Sequence, residues 1–398
     1  MLNKFLYFLM IILSLGVTVS QAQTLPTCSE RDFLIEFPRI NADLWCMEAP
    51  IRTDSEADIH YTSFVFDDEG ILYATHPYAG QVVMLRDSDN DSLPDDETIL
   101  AEGLAYPNGI TRYEDMLYVM GDGVVYTIDD TGTVSTLIDD LPSGRGFIAR
   151  AILIHEEKLY LGIPSPCDFC VGDNPLHGTI IRTNLDGSER EVIAQGLRYP
   201  TALAIYQDAL WVTDIARDGL PVYSFYDEIN RIDLTQDAIP HFGFPYCIGA
   251  ENTPDLIGDF DCSTVTAPTF TLQTHSSPMD LSTYDYELFP RLQNSLIVVL
   301  MGSNNNQYIA GHAVLSIELR EDDVLYEILA PVDAVGMGRW RWEQDNGYDI
   351  LLSHAEFVNN QAGGIWGHYP YAVAPSPEGW LYFSVSGIGM LVFRPHTP

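Results

Sequence analysis

The chain has 398 residues, 46% of them hydrophobic, and its 57 acidic against 19 basic residues give a net charge of −38. Apart from Lys4, the only lysine is Lys158, and every other fixed cation is an arginine. Nucleic-acid binding needs basic patches that neutralise phosphates, so this charge balance excludes a nucleic-acid partner and disfavours an anionic membrane surface.

The N-terminus has the features of a secretory signal. Residues 5–19 form an almost unbroken apolar run behind Lys4, and Ser20-Gln21-Ala22 resembles a small-residue cleavage site. The run is shorter than the roughly 20 residues that a bilayer-spanning helix needs. We therefore predict a cleaved signal over 1–22, a secreted or periplasmic protein, and no membrane span in the mature chain. An uncleaved anchor is the alternative. Residues 23–60 are predicted to be an irregular segment.

One sequence pattern, which we call the repeated phrase, recurs along the rest of the chain. It consists of an apolar strand, an acidic or glycine turn, and a Leu–aromatic pair that opens a second apolar strand. Its copies are 64–75, 109–120, 151–163, 202–214 and 372–385, with a looser copy at 281–302. A proline precedes the first strand in three copies, at Pro107, Pro200 and Pro370.

Multi-strand repeats with a period of about 40–50 residues are typical of β-propellers. The six copies therefore predict an all-β chain in which 61–398 form one six-bladed propeller of four-stranded antiparallel blades. Seven blades are the alternative, if one of the longer gaps between copies hides a degenerate blade. Sustained helical periodicity is missing, so helices should be few and short.

Six cysteines in a secreted chain indicate disulfides. Their order suggests the pairs Cys28–Cys46, Cys167–Cys170 and Cys247–Cys262 among the several that are possible. The closely spaced pair Cys167 and Cys170 leaves a redox or metal role as the alternative.

The acidic segment 87–97 is the strongest local motif. Its aspartates stand at alternate positions, as in an EF-hand calcium loop, although Ser92 replaces the usual glycine and Thr98 replaces the final glutamate. Because this many carboxylates repel one another without a cation, we predict a structural calcium ion. The alternative is a solvated acidic turn. The predicted ligands are Asp87, Asp89, Asp91, the carbonyl of Leu93, Asp95 and Asp96.

The middle of the chain resembles the glucose/sorbosone dehydrogenase family of soluble six-bladed propellers. The matching segments are Gly-Leu-Arg-Tyr-Pro at 196–200, Leu-Trp-Val-Thr-Asp at 210–214, Asp-Glu-Ile-Asn-Arg-Ile at 227–232 and His-Phe-Gly-Phe-Pro-Tyr-Cys at 241–247. The similarity extends over roughly 60–395. It implies hydride transfer from a sugar or aldehyde hydrate to pyrroloquinoline quinone at the channel mouth. A histidine would act as base, arginines would clamp the cofactor, and calcium would orient it.

The resemblance also implies site residues. Arg198 matches a cofactor-contacting arginine, Arg150 matches a second arginine after the usual base, and 214–228 matches a region that supplies ligands of the cofactor's calcium. The predicted catalytic residues are Arg150, Arg198, His275 and His76. The predicted cofactor-binding residues are Arg198, Asp214, Asp227 and Asn230.

Four departures weaken the quinone prediction. Phe147 stands where the family has its histidine, Tyr199 replaces an asparagine, Tyr369 replaces an arginine, and 304–306 is Asn-Asn-Asn. Two alternatives therefore stand beside the dehydrogenase: a non-catalytic, calcium-pinned propeller that binds a carbohydrate or protein partner, and a calcium-dependent hydrolase or lactonase. A small sugar or aldehyde is the expected partner of the dehydrogenase, and the chain is expected to be a monomer or dimer.

Overall fold

The structure is a computed structural model. It describes residues 28, 40–41, 44–52, 61–89, 91, 93–143, 146–221, 224, 226–249, 253–254, 257–302, 310–330, 340–341 and 369–395. The predicted signal over 1–22, Ser92 of the acidic loop and the asparagines at 304–306 lie outside the described residues.

The described chain contains seven antiparallel sheets, of which six are blades and the seventh is a two-stranded hairpin. The first strand, β1 (Trp45–Arg52), belongs to the last blade. Blade 1 contains β2 (Phe64–Phe66), β3 (Leu72–His76), β4 (Gln81–Arg86) and β5 (Asp96–Ala101). Blade 2 contains β6 (Gly109–Tyr113), β7 (Met116–Met120), β8 (Val125–Asp129) and β9 (Val134–Ile138). Blade 3 contains β10 (Ile152–His155), β11 (Lys158–Ile163), β12 (Thr179–Asn184) and β13 (Glu191–Gln195).

Blade 4 is interrupted by a small hairpin. It contains β14 (Pro200–Tyr206), β15 (Ala209–Asp214) and β16 (Asp227–Ile232), then the hairpin β17 (Cys247–Ile248) and β18 (Thr253–Pro254), and finally β19 (Phe270–Leu272). Blade 5 contains β20 (Pro278–Tyr284), β21 (Ser295–Leu300), β22 (Ala313–Leu319), β23 (Val324–Ala330) and a fifth strand, β24 (Trp340–Arg341). Blade 6 contains β25 (Pro370–Pro375), β26 (Leu381–Val385) and β27 (Gly389–Pro395), followed by β1.

The ring is closed by contacts between the first strands of the blades. β2, β6, β10, β14, β20 and β25 each contact the next strand of this series, and β25 returns to β2. In blade 6 the outer strand is β1, which pairs antiparallel with β27 and so joins the two ends of the chain in one sheet. The predicted all-β, six-bladed propeller is confirmed.

One boundary differs from the sequence prediction. Residues 45–52 were expected to be part of an irregular segment, yet they form a buried strand of blade 6. The repeated phrase does not occur there, because β1 gains its strand partner only from the opposite end of the chain.

The repeated Leu–aromatic pair has a packing role. In blade 1, Leu72 packs into the interface with blade 6, whereas Tyr73 packs into the interface with blade 2. In blade 4, Leu210 faces blade 3 and Trp211 faces blade 5. Trp211 also stacks on Phe270 of its own blade, with ring centroids 5.7 Å apart. Adjacent strand residues point to opposite sheet faces, so the pair serves both neighbouring interfaces. Burying each such side chain contributes about 1.5–3 kcal/mol.

The acidic turns within the phrase are tight hairpins. Glu156 and Glu157, and likewise Gln207 and Asp208, have positive φ at both central positions. Two left-handed residues in a two-residue loop are the geometry of a type I′ turn, which matches the twist of the flanking strands.

The described chain carries three disulfides, Cys28–Cys46, Cys167–Cys170 and Cys247–Cys262, which confirm the predicted pairing. Disulfides of this kind are typical of oxidising compartments. A short 3-10 turn lies at Cys262–Thr264. No helix in the described ranges is long and apolar enough to span a membrane.

Candidate functional site

The two ends of the propeller channel are defined by strand direction. Pro200 at the start of β14 pairs with Asp214 at the end of β15, and the other blades repeat this arrangement. We call the end at which the first strands begin the mouth face, and the opposite end the far face. A cavity of about 210 Å³, lined by residues of all six first strands, lies within the channel. We call it the channel cavity.

Arg198 lies at the mouth face, and its guanidinium group is held on several sides. The side chain is 2% exposed. Nη2 donates to Asp168 Oδ1 at 2.6 Å and to Asp218 Oδ1 at 3.4 Å, while Nη1 donates to the Ile215 carbonyl at 3.1 Å. Nε donates to the Asp168 carbonyl at 3.2 Å, and the group stacks over Phe147 at 4.4 Å from the ring centroid. Every side-chain nitrogen of Arg198 therefore already donates to an acceptor within the protein.

The loop that captures Arg198 is constrained by a disulfide. Asp168 lies between Cys167 and Cys170, which are bonded to each other. The Asp168 carboxylate also accepts from the Asp218 N–H at 2.8 Å, which ties this loop to the loop between β15 and β16. The closely spaced cysteines thus have a structural role beside the predicted site.

Three buried acidic side chains lie at the mouth end of blade 4: Asp214, Asp227 and Glu228. Burial raises the pKa of Asp214 to about 7, of Asp227 to about 6 and of Glu228 to about 8. Asp214 accepts the backbone N–H groups of Arg198 and Tyr199, and it lies opposite Glu228 in the strand register. These raised pKa values mean that the cluster binds protons up to about neutral pH.

Two predicted residues adjoin this cluster. Asn230 is fully buried and donates from Nδ2 to Glu228 Oε2 at 3.0 Å, while its Oδ1 has no hydrogen-bond partner. His275 is 8% exposed, interacts electrostatically with Asp227, and its Nε2 lies 2.9 Å from the Leu220 carbonyl. This contact fixes the imidazole of His275 against the loop that follows β15.

Arg150 and Asp280 lie together in the channel cavity. Arg150 is 3% exposed; its Nη2 donates to the carbonyls of Thr62 at 2.5 Å and Tyr371 at 3.2 Å, and its Nη1 has no hydrogen-bond partner. Asp280 accepts from the N–H groups of Leu281 and Val373, each at 2.9 Å. Burial raises the pKa of Asp280 to about 6, against the opposing effect of Arg150.

A ring of aromatic side chains surrounds the mouth face, and we call it the aromatic collar. Tyr78 and Tyr106 meet edge to face at 5.5 Å, and Phe147 lies 5.3 Å from Tyr199. The Tyr371 hydroxyl interacts electrostatically with those of Tyr78, Tyr199 and Tyr369, and also with Arg150. Tyr78 is 63% exposed. The collar consists of Tyr78, Tyr106, Phe147, Tyr199, Tyr369 and Tyr371.

The collar was not predicted, although the sequence carries a signal for it. Tyr106, Tyr199 and Tyr369 each stand immediately before the recurring proline that opens the first strand of a blade. Because those strands begin at the mouth face, the preceding residue of each blade must lie around the channel. Asp280 and Tyr371 carry no such signal, since each is a single polar residue within a strand.

The predicted site residues are only partly brought together. Asp214, Asp227 and Asn230 adjoin one another and Arg198, with His275 beside them, whereas Arg150 lies in the channel cavity. His76 ends β3 at the mouth face and pairs with Gln81. The catalytic and cofactor roles of all these residues stay predictions.

The acidic loop lies on the far face, since β4 runs away from the mouth and ends at Arg86. The carboxylate oxygens of Asp87, Asp89 and Asp91 lie within 4.8 Å of one another, and all three residues are exposed. Asp95 instead accepts from the N–H and hydroxyl of Ser88, and these bonds lower its pKa. The carboxylates that converge are thus fewer than the predicted ones, which also included Asp95 and Asp96. The role of the Leu93 carbonyl stays a prediction.

Comparisons with solved structures agree with the six-bladed fold. No family model matches the chain. The holo form of the pyranose dehydrogenase PQQ domain from Coprinopsis cinerea is similar in structure, with a TM-score of 0.65 and 14% identity over 87% of this chain and 95% of that one. The calcium structure of the Trichoderma reesei Carbohydrate-Active Enzymes Family AA12 protein has a TM-score of 0.64 and 16% identity, covering 92% of this chain and 99% of that one.

A bacterial structure is also similar. The PQQ-bound aldose sugar dehydrogenase from Streptomyces coelicolor has a TM-score of 0.56 and 17% identity, over 88% of this chain and 98% of that one. Among curated proteins, Teneurin-m of Drosophila melanogaster is 27% identical over 172 residues, which is 36% of this chain and 6% of that protein.

The described chain is thus a six-bladed propeller with buried polar groups at the mouth face of its channel. In its fold, it is a diverged glucose dehydrogenase-like propeller.

Proposed function

We propose that this propeller binds a sugar at its mouth face. The observation that carries the proposal is the aromatic collar at the mouth face of a channel whose cavity is lined by Arg150 and Asp280. Aromatic rings present flat apolar surfaces to the C–H faces of a sugar ring, while a few polar groups fix its orientation. The structural similarity to sugar dehydrogenases supports a sugar as the class of ligand.

Removing one ring of the collar tests this proposal. Tyr78→Ala is suitable because Tyr78 is 63% exposed, so the variant should fold normally. Tyr113→Ala is the matched control, since Tyr113 ends β6 at the far face. Isothermal titration with a panel of mono- and disaccharides should show saturable binding that Tyr78→Ala weakens and Tyr113→Ala does not. Failure of the whole panel to bind the unaltered chain would refute the proposal.

Quinone-dependent sugar oxidation is the second candidate, favoured by the PQQ-bound neighbours. Bound pyrroloquinoline quinone would accept a hydride from the sugar. The residues present do not fit it, because Asp168, Asp218 and the Ile215 carbonyl already bind the guanidinium group of Arg198, and Phe147 supplies no base. We therefore derive no catalytic step through the quinone.

The quinone candidate has its own test. The purified chain is mixed with calcium and pyrroloquinoline quinone, and absorbance, melting temperature and sugar-dependent reduction of a dye are followed. We expect no saturable quinone binding. Saturable binding together with dye reduction would restore the dehydrogenase as the function.

The hydrolase alternative receives less support from the channel. Within the described lining of the channel cavity, the single carboxylate, Asp280, stands beside Arg150. A calcium ion prefers a shell of several oxygen ligands, and a neighbouring guanidinium group opposes it.

We further propose that the acidic loop holds a structural calcium ion through Asp87, Asp89 and Asp91. Calcium should raise the melting temperature, because a ligand that binds only the folded state stabilises it. Asp89→Asn should abolish this rise, whereas Asp140→Asn, which alters an exposed carboxylate elsewhere, should preserve it. An equal response of both variants to calcium would exclude this site.

The cellular location also belongs to the proposal. We propose that residues 1–22 are a cleaved secretory signal and that the mature propeller, as a monomer or dimer, acts outside the cytoplasm. N-terminal sequencing of the exported protein tests the cleavage site. A mature chain that still begins at Met1 would contradict it.

A further inference from the structure

We propose that the ligand of the mouth is an acidic sugar, a uronic or aldonic acid, whose carboxylate binds Arg150 in the channel cavity. This inference rests on the proposed sugar binding and specifies the class of sugar.

The state of Arg150 is the first argument. Its side chain is 3% exposed, and the acceptors of Nη2 are two neutral carbonyls, those of Thr62 and Tyr371. Nη1 is buried without a hydrogen-bond partner. A buried guanidinium donor that has lost water and gained no acceptor is costly, because it forfeits its solvation. An anionic ligand in the cavity removes that cost.

The contrast with Arg198 strengthens the argument. Arg198 is equally buried, but Asp168 and Asp218 neutralise it, so it has no need of an external anion. The two arginines share the mouth face of one molecule. Each side-chain nitrogen of Arg198 has an acceptor, whereas Nη1 of Arg150 has none. A carboxylate suits that group well, since guanidinium–carboxylate hydrogen bonds are charge-assisted and directional.

Position is the second argument. Tyr371 belongs to the aromatic collar through its side chain, and its carbonyl accepts from Arg150. A ligand whose ring contacts Tyr371 of the collar therefore lies near the guanidinium group of Arg150. A sugar with a carboxylate at one end of the ring satisfies both requirements.

Asp280 makes the binding dependent on pH. The groups facing Arg150 are the Asp280 carboxyl and the hydroxyls of Tyr371 and Tyr199. Burial raises the pKa of both tyrosines, so they stay neutral. An ionised Asp280 repels a ligand carboxylate, and protonation removes the repulsion. Affinity for the acidic sugar should therefore rise as the pH falls through the pKa of Asp280.

The experiment is isothermal titration of the mature chain with glucuronate, its methyl ester and glucose, at pH 5 and pH 7.5. We expect glucuronate to bind about tenfold more tightly than its ester or glucose at pH 5, which is the size of one charge-assisted hydrogen bond. That advantage should shrink at pH 7.5. Equal affinity for the acid and its ester at both pH values would overturn the inference.

Variants assign the effect to the two residues. Arg150→Gln should abolish the preference for the acid, Arg150→Lys should retain part of it, and Tyr113→Ala should retain all of it. Asp280→Asn should remove the pH dependence, and this variant also decides the case if Arg150→Gln does not fold. An unchanged preference in Arg150→Gln, or an unchanged pH dependence in Asp280→Asn, would refute the assignment.

Failure of the inference and failure of the proposed function give different results. If glucose and the ester bind but the acid has no advantage, sugar binding stands and the role of Arg150 falls. If the unaltered chain binds none of the three nor any sugar of the wider panel, the proposed function itself falls.

Discussion

Arg198 and Arg150 are two buried arginines at the same face of the propeller, yet their surroundings differ. Arg198 is held by carboxylates, a carbonyl and the Phe147 ring, whereas Arg150 donates to two carbonyls and keeps one buried N–H without a partner. The family resemblance predicts a catalytic role for both. The structure distinguishes them by the acceptors that their N–H groups already bind. Arg150 has a side-chain nitrogen without an acceptor, so it is the arginine available to a ligand.

The largest difference should appear in stability. Arg198→Ala removes a buried guanidinium group with its hydrogen bonds to Asp168, Asp218 and Ile215, so we expect a loss of about 3 kcal/mol in the free energy of unfolding. Arg150→Ala should cost about 1–2 kcal/mol, because it removes two hydrogen bonds and also a donor that lacked a partner. Urea unfolding measures both.

The control for this comparison is Arg182→Ala, which removes a half-exposed pair with Glu191 and should cost less than about 1 kcal/mol. A cost for Arg150→Ala as large as that for Arg198→Ala would erase the distinction between the two sites.

The pH dependence of stability tests the buried acidic cluster beside Arg198. The folded pKa values of Asp214 and Glu228 lie above the ordinary values of 3.8 and 4.5, at about 7 and about 8. The folded state therefore holds more protons than the unfolded state between about pH 4 and pH 8, and stability falls as pH rises through this window. We expect a lower melting temperature at pH 8 than at pH 5.

Glu228→Gln should flatten this profile, since a glutamine cannot ionise. Its matched control is Glu191→Gln, which alters a half-exposed carboxylate of blade 3 and should leave the slope unchanged. A profile that rises from pH 5 to pH 8 in the unaltered chain would show that the acidic cluster is ionised and compensated.

The smallest expected effect concerns the collar. Tyr78→Ala should lower sugar affinity about three- to tenfold, in keeping with the roughly 0.5–1.5 kcal/mol of a single aromatic contact. Titration calorimetry measures it against the far-face control Tyr113→Ala. A loss of equal size in the control would show that the change acts through the fold rather than at the mouth.

The sequence predicts the blades because packing repeats in every blade. The two residues of each Leu–aromatic pair must face opposite interfaces, as in Leu72 and Tyr73 or Leu210 and Trp211. This requirement produces a pattern that recurs in the sequence. β1 lacks the phrase, since its partner β27 lies at the other end of the chain. Its place in blade 6 therefore could not be inferred from local pattern.

The site was predicted less completely, because its chemistry depends on contacts distant in sequence. Asp168 lies 30 residues before Arg198 and neutralises it, and Asp280 meets Arg150 across the channel. The His275 imidazole is bonded to the Leu220 carbonyl, a contact that no motif reveals. Residue types that match a family therefore specify position, while the available donors and acceptors follow only from the folded chain.

The most direct test of this account is a paired titration of the mature chain, in the presence of calcium, with a sugar panel and with pyrroloquinoline quinone. The account predicts saturable binding of at least one sugar, weakened by Tyr78→Ala, and no saturable binding of the quinone. Tight quinone binding that depends on Arg198 would contradict it, because the guanidinium group would then have to leave Asp168 and Asp218.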